Sequence, residues 1–277
     1  MISFVGAGSG AADLITVRGD RLLREADYVI WAGSLVNPQI LDCCKPECKI
    51  FDSAKMTLED VIEVMAQADA EGADLVRLHT GDPSIYGAIR EQMDQLAARG
   101  IEYTVVPGVS SFCGAAAALK AELTLPNVSQ TVIITRLEGR TPMPEGEDMR
   151  SLAAHNASMC IFLSSGMLER LSAELVAGGY APQTPAALVY KATWPEEKVC
   201  RCTIETLAQT GEENGISATA MVVVGNVLGN DYERSLLYHP GFSTWFRKGD
   251  GTLGTSSDDL DENGKRISSG TAHQTRS

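Results

Sequence analysis

The segment from Asp74 to Gly87 holds the side chains with the clearest chemical potential in the chain. A short apolar run leads to His79, and Asp82 and Tyr86 follow within and just after a glycine turn at Gly81. Ligands of open α/β sheets bind at the carboxyl ends of strands, beside helix N-termini. Asp82 is therefore a candidate ligand contact, and the alternative is that it only caps the next helix. His79 is a candidate acid or base, or else a hydrogen-bonded structural histidine.

The residues after this turn predict a helix that begins near Pro83. Proline suits the first helical turn because its missing N–H would be unpaired there. Ile85, Ile89, Met93 and Leu96 then recur at helical spacing.

Two more glycine turns follow predicted strands. Gly6 to Ala11 comes after Ile2 to Val5, and Pro107 to Ser111 comes after Ile101 to Val106. The first turn loosely fits the dinucleotide fingerprint, but that site also requires an acid at the end of the second strand. The chain has Ile30 to Gly33 there, with no acid. An oxidoreductase that binds a dinucleotide at the first turn is thus the alternative from a different class.

The alternation of predicted strands and helices indicates an α/β protein with a mainly parallel sheet in its first half. A capping box at Thr57 and Asp60 opens one of these helices. After a boundary near residue 125 the pattern restarts. The short link between the strands at 186–190 and 197–203 favours an antiparallel hairpin, so a mixed sheet is expected there.

Composition excludes several classes of protein. The 277 residues carry a formal charge of −13, which argues against a nucleic-acid partner. No apolar run approaches the length of about 18 residues that a membrane-spanning helix needs, and Met1 to Val5 is too short for a secretory signal. We therefore expect a cytoplasmic protein without a membrane partner. The seven cysteines form no Cys-x-x-Cys pair, which favours reduced thiols and no structural metal. Residues 249–277 have few apolar side chains and are expected to be disordered.

Taken together, the three glycine turns resemble those of the tetrapyrrole methylases, which use S-adenosylmethionine to methylate uroporphyrinogen and precorrin rings. The matching segments are Val5 to Gly10 with Asp13 to Thr16, Gly81 to Gly87, and Val106 to Ser111. Within the family, Trp31 to Pro38 and Tyr190 to Pro195 resemble the carbon-11 methyltransferases of precorrin-4 or cobalt-precorrin-4 of cobalamin biosynthesis. Methylases of carbon 17, carbon 20 or uroporphyrinogen III are the alternatives within the family.

The resemblance implies a tetrapyrrole-methylase-like α/β fold of two domains, 1–125 and 126–248, with the active-site cleft between them, and a homodimer. The implied contacts to S-adenosylmethionine are Thr80, Gly81, Asp82, Ile85, Tyr86, Ser110, Ser111, Leu163, Ala192 and Ala220. The catalytic candidates are Asp82, His79 and Tyr86.

The first glycine turn is expected to lie beside the tetrapyrrole. Because a precorrin bears many carboxylates, basic side chains must also face it, although each one could instead be a solvated surface charge. The candidate substrate contacts are Gly8, Ser9, Gly10, Asp13, Arg136, Arg140 and Lys191. The family's first turn usually reads Gly-x-Gly-Pro-Gly, and this chain has Ser9 at the proline position.

Overall fold

The computed structural model describes residues 1–233 and 235–251. Met1–Tyr232 forms one compact unit, and a second unit begins at Glu233. Both sheets belong to the first unit. In the second unit, a short 3-10 turn spans Leu236–Tyr238, and Arg247 donates hydrogen bonds to the carbonyl oxygens of Leu237 and His239. Within the described ranges, no helix is both long enough and apolar enough to span a membrane.

The first sheet has five strands, all parallel, in the order β3-β2-β4-β1-β5. They are β1 (Ile2–Gly6), β2 (Tyr28–Trp31), β3 (Lys49–Asp52), β4 (Leu75–His79) and β5 (Tyr103–Val106). Because neighbouring parallel strands end at the same edge, the loops after β1, β4 and β5 lie side by side. The three glycine turns of the sequence therefore meet at one edge.

Four helices belong to this half: α1 (Val17–Glu25), α2 (Leu58–Ala70), α3 (Ile89–Ala98) and α4 (Ser111–Leu119). The predicted capping box at Thr57 and Asp60 is confirmed. Side chains alternate across β1, so that Phe4 joins the core beneath α2 and α3, and Val5 joins the core beneath α1. The sheet is thus covered on both faces, as buried parallel sheets require.

The second sheet is mixed, with the order β6-β7-β10-β8-β9. Its strands are β6 (Val132–Arg136), β7 (Ser158–Phe162), β8 (Pro185–Tyr190), β9 (Lys198–Thr203) and β10 (Ala220–Val224), and its helices are α5 (Met149–Ala153), α6 (Leu168–Ala177) and α7 (Leu207–Glu213). Only β6 and β7 pair in parallel. The predicted hairpin is confirmed, since β8 and β9 pair antiparallel in full register.

Helix α4 connects the two halves. Its residues Ala115 and Leu119 are buried in one apolar cluster with Cys160 of β7, Val189 of β8 and Val223 of β10. A helix that follows the first sheet therefore packs on the second sheet.

The segment between α4 and β6 contains the predicted domain boundary at residue 125, and the division there remains a prediction. The predicted tail, residues 249–277, lies outside the described residues from position 252 onward.

One local expectation was wrong. No helix begins at Pro83, because residues 83–86 form turns, Ala88 is left-handed with φ 50°, and α3 starts only at Ile89. The helical spacing of Ile89 and Leu96 is correct, but Ile85 lies in the turn before the helix. Ile85 and Tyr86 therefore lie in a turn, where they line the cavity described below.

Candidate active site

A cavity of about 280 Å³ lies at the carboxyl edge of the first sheet, and residues of both halves line it. Every residue predicted to contact the methyl donor is in its lining: Thr80, Gly81, Asp82, Ile85, Tyr86, Ser110, Ser111, Leu163, Ala192 and Ala220. The catalytic candidates His79, Asp82 and Tyr86 line it as well. Two of the predicted substrate contacts, Ser9 and Lys191, also lie in the lining, and the other five do not.

The second sheet reaches this cavity because of its strand directions. Phe162 ends β7 and Leu163 follows it, and Lys191 and Ala192 follow β8. Since β10 runs antiparallel to both strands, its first residue Ala220 lies next to their last residues. The ends of β7 and β8 and the start of β10 therefore form one wall. The Tyr86 ring spans the gap and packs on Phe162, with 5.2 Å between the ring centroids.

Glycines of the three turns pack closely on one another beside the cavity, and Gly81 lines it. A Cβ atom on Gly108 would lie 2.2 Å from the carbonyl oxygen of Gly81, and one on Gly6 would lie 2.5 Å from the same oxygen. Gly8 and Gly81 exchange backbone hydrogen bonds of 2.9 and 3.3 Å. Gly81 itself has a φ of 61°, which favours glycine. The loops after β1, β4 and β5 are thus packed directly on one another.

This packing gives the first glycine turn an internal explanation. A Cβ on Gly8 would lie 2.6 Å from the carbonyl oxygen of Leu14, and a Cβ on Gly10 would lie 2.2 Å from Cδ1 of Trp194. The glycines of the first turn are thus accounted for by contacts with protein atoms. That this turn also lies beside the tetrapyrrole stays a prediction.

The Asp82 carboxylate joins two of the turns. Its Oδ2 accepts a hydrogen bond from the Gly108 N–H at 2.8 Å, and its Oδ1 accepts one from the Ser84 N–H at 2.8 Å and another from the Ser84 hydroxyl. Burial raises the pKa of this carboxyl. The hydrogen bonds from Ser84 and Gly108 lower it by more, so the pKa of Asp82 is below its ordinary value. Asp82 is therefore held as a carboxylate, although no helix begins at Pro83 for it to cap.

His79 ends β4 as a buried, neutral imidazole. Its ring stacks on Phe4 with the centroids 5.9 Å apart, and its Nε2 is buried with no hydrogen-bond partner among the described residues. Burial, together with the charge of Arg77, lowers the pKa of His79 to about 3. A base with that pKa is uncharged at any physiological pH and a weak proton acceptor.

Arg77 is a buried cation in the cavity lining, and sequence reasoning did not single it out. Its Nε donates to Oε1 of Gln92 at 3.2 Å, and its Nη1 donates to the carbonyl oxygens of Ile30 and Leu78. The side chain makes no ion pair with any residue in the described ranges. Burial lowers the pKa of Arg77 to about 10, so the guanidinium remains charged at neutral pH. Buried charges are normally paired, so the site favours an anionic group on a ligand.

Backbone strain is concentrated around the same cavity. In the described residues, nine positions other than glycine have a positive φ, and four of them line the cavity: Tyr86, Leu163, Lys191 and Thr219. Each such conformation costs about 1–3 kcal/mol and persists only where the surrounding structure enforces it. This clustering is typical of a functional site.

The basic residues predicted to face the substrate differ in their surroundings. Lys191 lines the cavity, with its ammonium 4.9 Å from the Trp194 ring centroid and 3.8 Å from a Glu196 carboxylate oxygen. Arg136 instead donates hydrogen bonds to the carbonyl oxygens of Thr141 and Pro142, so it braces the loop after β6. Arg140 is exposed in that loop, and Asp13 is exposed in a 3-10 turn after the first glycine turn.

No metal site is found among residues 1–233 and 235–251, where no group of three or more His, Cys, Asp or Glu side chains could hold an ion. All seven cysteines are free thiols.

The family model of the Tetrapyrrole (Corrin/Porphyrin) Methylases matches residues 1–208. The chain belongs to this family. Its relatives are therefore corrin and porphyrin methylases, whose reaction is methyl transfer.

Two relatives and one solved structure align over most of this chain. A cobalt-precorrin-4 C(11)-methyltransferase of Methanocaldococcus jannaschii is 50% identical over 248 residues, which cover 89% of this chain and 96% of that protein. A precorrin-4 C(11)-methyltransferase of Mycobacterium tuberculosis is 46% identical over 228 residues, covering 82% and 91%. The crystal structure of a cobalt precorrin-4 methyltransferase, a cobalamin biosynthetic enzyme, matches with a TM-score of 0.81 and 44% identity, covering 83% of this chain and 96% of that one.

Proposed function

We propose that this chain is an S-adenosylmethionine-dependent methyltransferase that methylates carbon 11 of precorrin-4 or cobalt-precorrin-4 in corrin biosynthesis. The observation that carries the proposal is the single cavity that brings the Gly81–Asp82 turn together with Ala192 and Ala220 of the second sheet. The relatives named above, which align over nearly their whole length, support the ring position.

The site fits a methyl donor with both a polar and an apolar part. Exposed backbone groups of the turns after β4 and β5 can bind polar atoms, and Leu163, Ala192 and Ala220 offer an apolar surface. Gly81 would matter most there, since its left-handed backbone has no side chain to occupy the space beside Ser111. We propose that the ten predicted donor residues hold S-adenosylmethionine in this cavity.

When bound, the donor supplies a sulfonium methyl group, which an electron-rich ring carbon can accept by in-line displacement. This chain's own contribution is then mainly alignment, which can supply about 7–11 kcal/mol of a reaction barrier. Asp82 is held as a carboxylate, His79 is neutral with a pKa near 3, and burial raises the pKa of Tyr86. None of these shifts moves a pKa toward neutrality, as efficient acid or base catalysis requires. We infer that these three residues position groups rather than exchange protons.

The substrate side of the site combines Lys191 and Arg77 with the aromatic rings of Trp194 and Tyr86. Cations and ring faces suit a flat molecule with carboxylate side chains. The relatives include enzymes named for both the cobalt-containing and the cobalt-free ring, so both remain in the proposal. We also expect a homodimer, which sedimentation velocity of the full-length chain would test.

The experiment compares three methyl acceptors in parallel incubations. It also compares the binding of NAD with the binding of S-adenosylhomocysteine. The full-length protein is incubated with S-adenosylmethionine and one acceptor, which is precorrin-4, cobalt-precorrin-4 or uroporphyrinogen III in separate reactions. The masses of the products are measured by mass spectrometry. We expect one added methyl on a precorrin-4 ring and an equal amount of S-adenosylhomocysteine. Binding of NAD with no binding of S-adenosylhomocysteine would instead support the oxidoreductase alternative, and turnover of uroporphyrinogen III alone would support another ring position.

A further inference from the structure

The loop after β8 runs from Lys191 to Glu197 and reaches the first glycine turn. Lys191 and Thr193 both have left-handed backbone conformations, with φ values of 45° and 67°. Lys191, Ala192 and Trp194 line the cavity, whereas Thr193 does not. Left-handed residues thus flank Ala192 on both sides, and the segment places three side chains in the cavity lining.

Thr193 is an unfavourable residue for this conformation, because its β-branched side chain crowds a left-handed backbone. Three hydrogen bonds hold it. Its N–H donates to Oε2 of Glu197 at 2.6 Å, its hydroxyl oxygen accepts from the Ala11 N–H at 3.0 Å, and its hydroxyl shares a hydrogen bond of 3.2 Å with that of Ser9. The last two bonds connect the loop after β8 to the first glycine turn, two segments far apart in sequence.

Trp194 is fixed by the same arrangement. Its indole fills the space that a side chain on Gly10 would need, with Cδ1 only 2.2 Å from the position of a Cβ there. The Lys191 ammonium lies 4.9 Å from the indole centroid. The ring is therefore enclosed between the first glycine turn and Lys191, and its remaining surface contributes to the lining.

We propose that Thr193 is a positioning residue for ligand binding. Through its hydroxyl it ties the Lys191–Trp194 segment to Ser9 and Ala11 and so fixes one wall of the cavity. The inference rests on the proposed function in taking S-adenosylmethionine as a ligand of that cavity. Ser9, which stands where the family usually has proline, gives this chain a second hydroxyl for the link.

The test compares Thr193→Val, which keeps the shape but removes the hydroxyl, with Thr193→Ser, which keeps the hydroxyl. S-adenosylhomocysteine binding to the full-length protein is measured by calorimetry. We expect the valine variant to bind about tenfold more weakly, as the loss of one to two net hydrogen bonds implies, and the serine variant to bind within about twofold of the wild type. If Thr193 served only the stability of the fold, the folded fraction of the valine variant would bind S-adenosylhomocysteine with wild-type affinity, and that result would contradict the proposal.

A spectroscopic measurement reports on the wall directly. In a background with Trp31→Phe and Trp245→Phe, Trp194 is the remaining tryptophan of the three in the chain. We expect Thr193→Val to shift its emission in the free protein, and Thr193→Ser to restore it. Unchanged emission together with unchanged affinity in the valine variant would overturn the proposal.

Two further variants keep the proposal open to refutation. If Thr193→Val does not fold, Ser9→Ala removes the hydrogen bond between the Ser9 and Thr193 hydroxyls, and full S-adenosylhomocysteine affinity in that variant would overturn the link. Thr193→Gly relieves the left-handed strain while removing the hydroxyl, so we expect a melting temperature close to that of the wild type with weakened binding. A wild-type protein that binds S-adenosylhomocysteine but methylates no precorrin-4 would refute the proposed function and leave the Thr193 inference standing.

Discussion

Substitution of Gly108 by alanine tests whether the packed glycine turns set the geometry of the site. The new Cβ would lie 2.2 Å from the Gly81 carbonyl oxygen and 2.8 Å from the Gly6 Cα, whereas ordinary contact begins near 3.4 Å. Both neighbours are backbone atoms, so no side chain can rotate away. The Gly81 turn must then move by about 1.2 Å, the difference between 3.4 and 2.2 Å.

A displacement of that size is large for a reaction that depends on alignment. Misplacement by about 1 Å can lower a rate roughly a hundredfold, and crowding of a packed interior typically costs about 1–3 kcal/mol of stability. We therefore expect Gly108→Ala to remain folded, to lose roughly a hundredfold in kcat/KM, and to bind S-adenosylhomocysteine more weakly. The Gly108 N–H bond to Asp82 should be lost or lengthened at the same time.

The assay measures transfer of radiolabelled methyl from S-adenosylmethionine and calorimetric binding of S-adenosylhomocysteine on the same preparation. Gly139→Ala is the matched control, because a Cβ there would meet only the Met167 Cε, at 3.8 Å. The control should behave as the wild type. A folded Gly108→Ala protein with normal donor affinity and normal turnover would refute the reasoning.

Three further predictions concern the polar groups of the cavity. Arg77→Met should leave the melting temperature unchanged or raise it, because it replaces a buried charge that has no ion-pair partner among the described residues, while turnover falls at least about tenfold because the cation is lost; a lower melting temperature with normal turnover would contradict this. Asp82→Asn should lower turnover by about 10- to 150-fold without abolishing it, since an amide oxygen can still accept from Gly108 while one charge-assisted bond, worth about 1.5–3 kcal/mol, is lost; complete inactivity of a folded variant would indicate a proton-transfer role. For His79, the folded pKa of about 3 lies below the unfolded value of 6.5, so the unfolded chain binds the extra proton between these pH values. The free energy of unfolding should therefore fall by up to about 1.4 kcal/mol per pH unit as the pH drops through that window, and urea unfolding at pH 7 and 5 should show a shallower fall for His79→Gln.

Local signals in the sequence predicted most of the framework. The Thr57 capping box, the strand before Gly81 and the hairpin of β8 and β9 each depend on residues close together in the chain, and the structure has all three. In the structure the three glycine turns share an edge because the strands of the parallel first sheet all end on one side. The start of α3 was predicted too early because the spacing of Ile85 and Ile89 continues across a turn that the left-handed Ala88 interrupts.

The rest depends on contacts between distant segments. That Gly10 faces the Trp194 ring is set by packing between the first glycine turn and the loop after β8, and no local pattern reports it. In the sequence Arg77 looks like an ordinary charge within a strand. Only the structure shows that it is buried and that it has no acidic partner among residues 1–233 and 235–251. Arg136 is the opposite case. The sequence predicts that it faces the substrate, but its guanidinium donates a hydrogen bond to a carbonyl oxygen of its own loop.

The most direct test of the central claim is methyl transfer with a labelled donor. The full-length protein is incubated with S-adenosylmethionine carrying a ¹³C methyl group and with precorrin-4 or cobalt-precorrin-4, and the product is examined by NMR. The account predicts one new labelled methyl, bonded to carbon 11 of the ring. A label at another ring carbon, or no label on either substrate from a protein that binds S-adenosylhomocysteine, would contradict it.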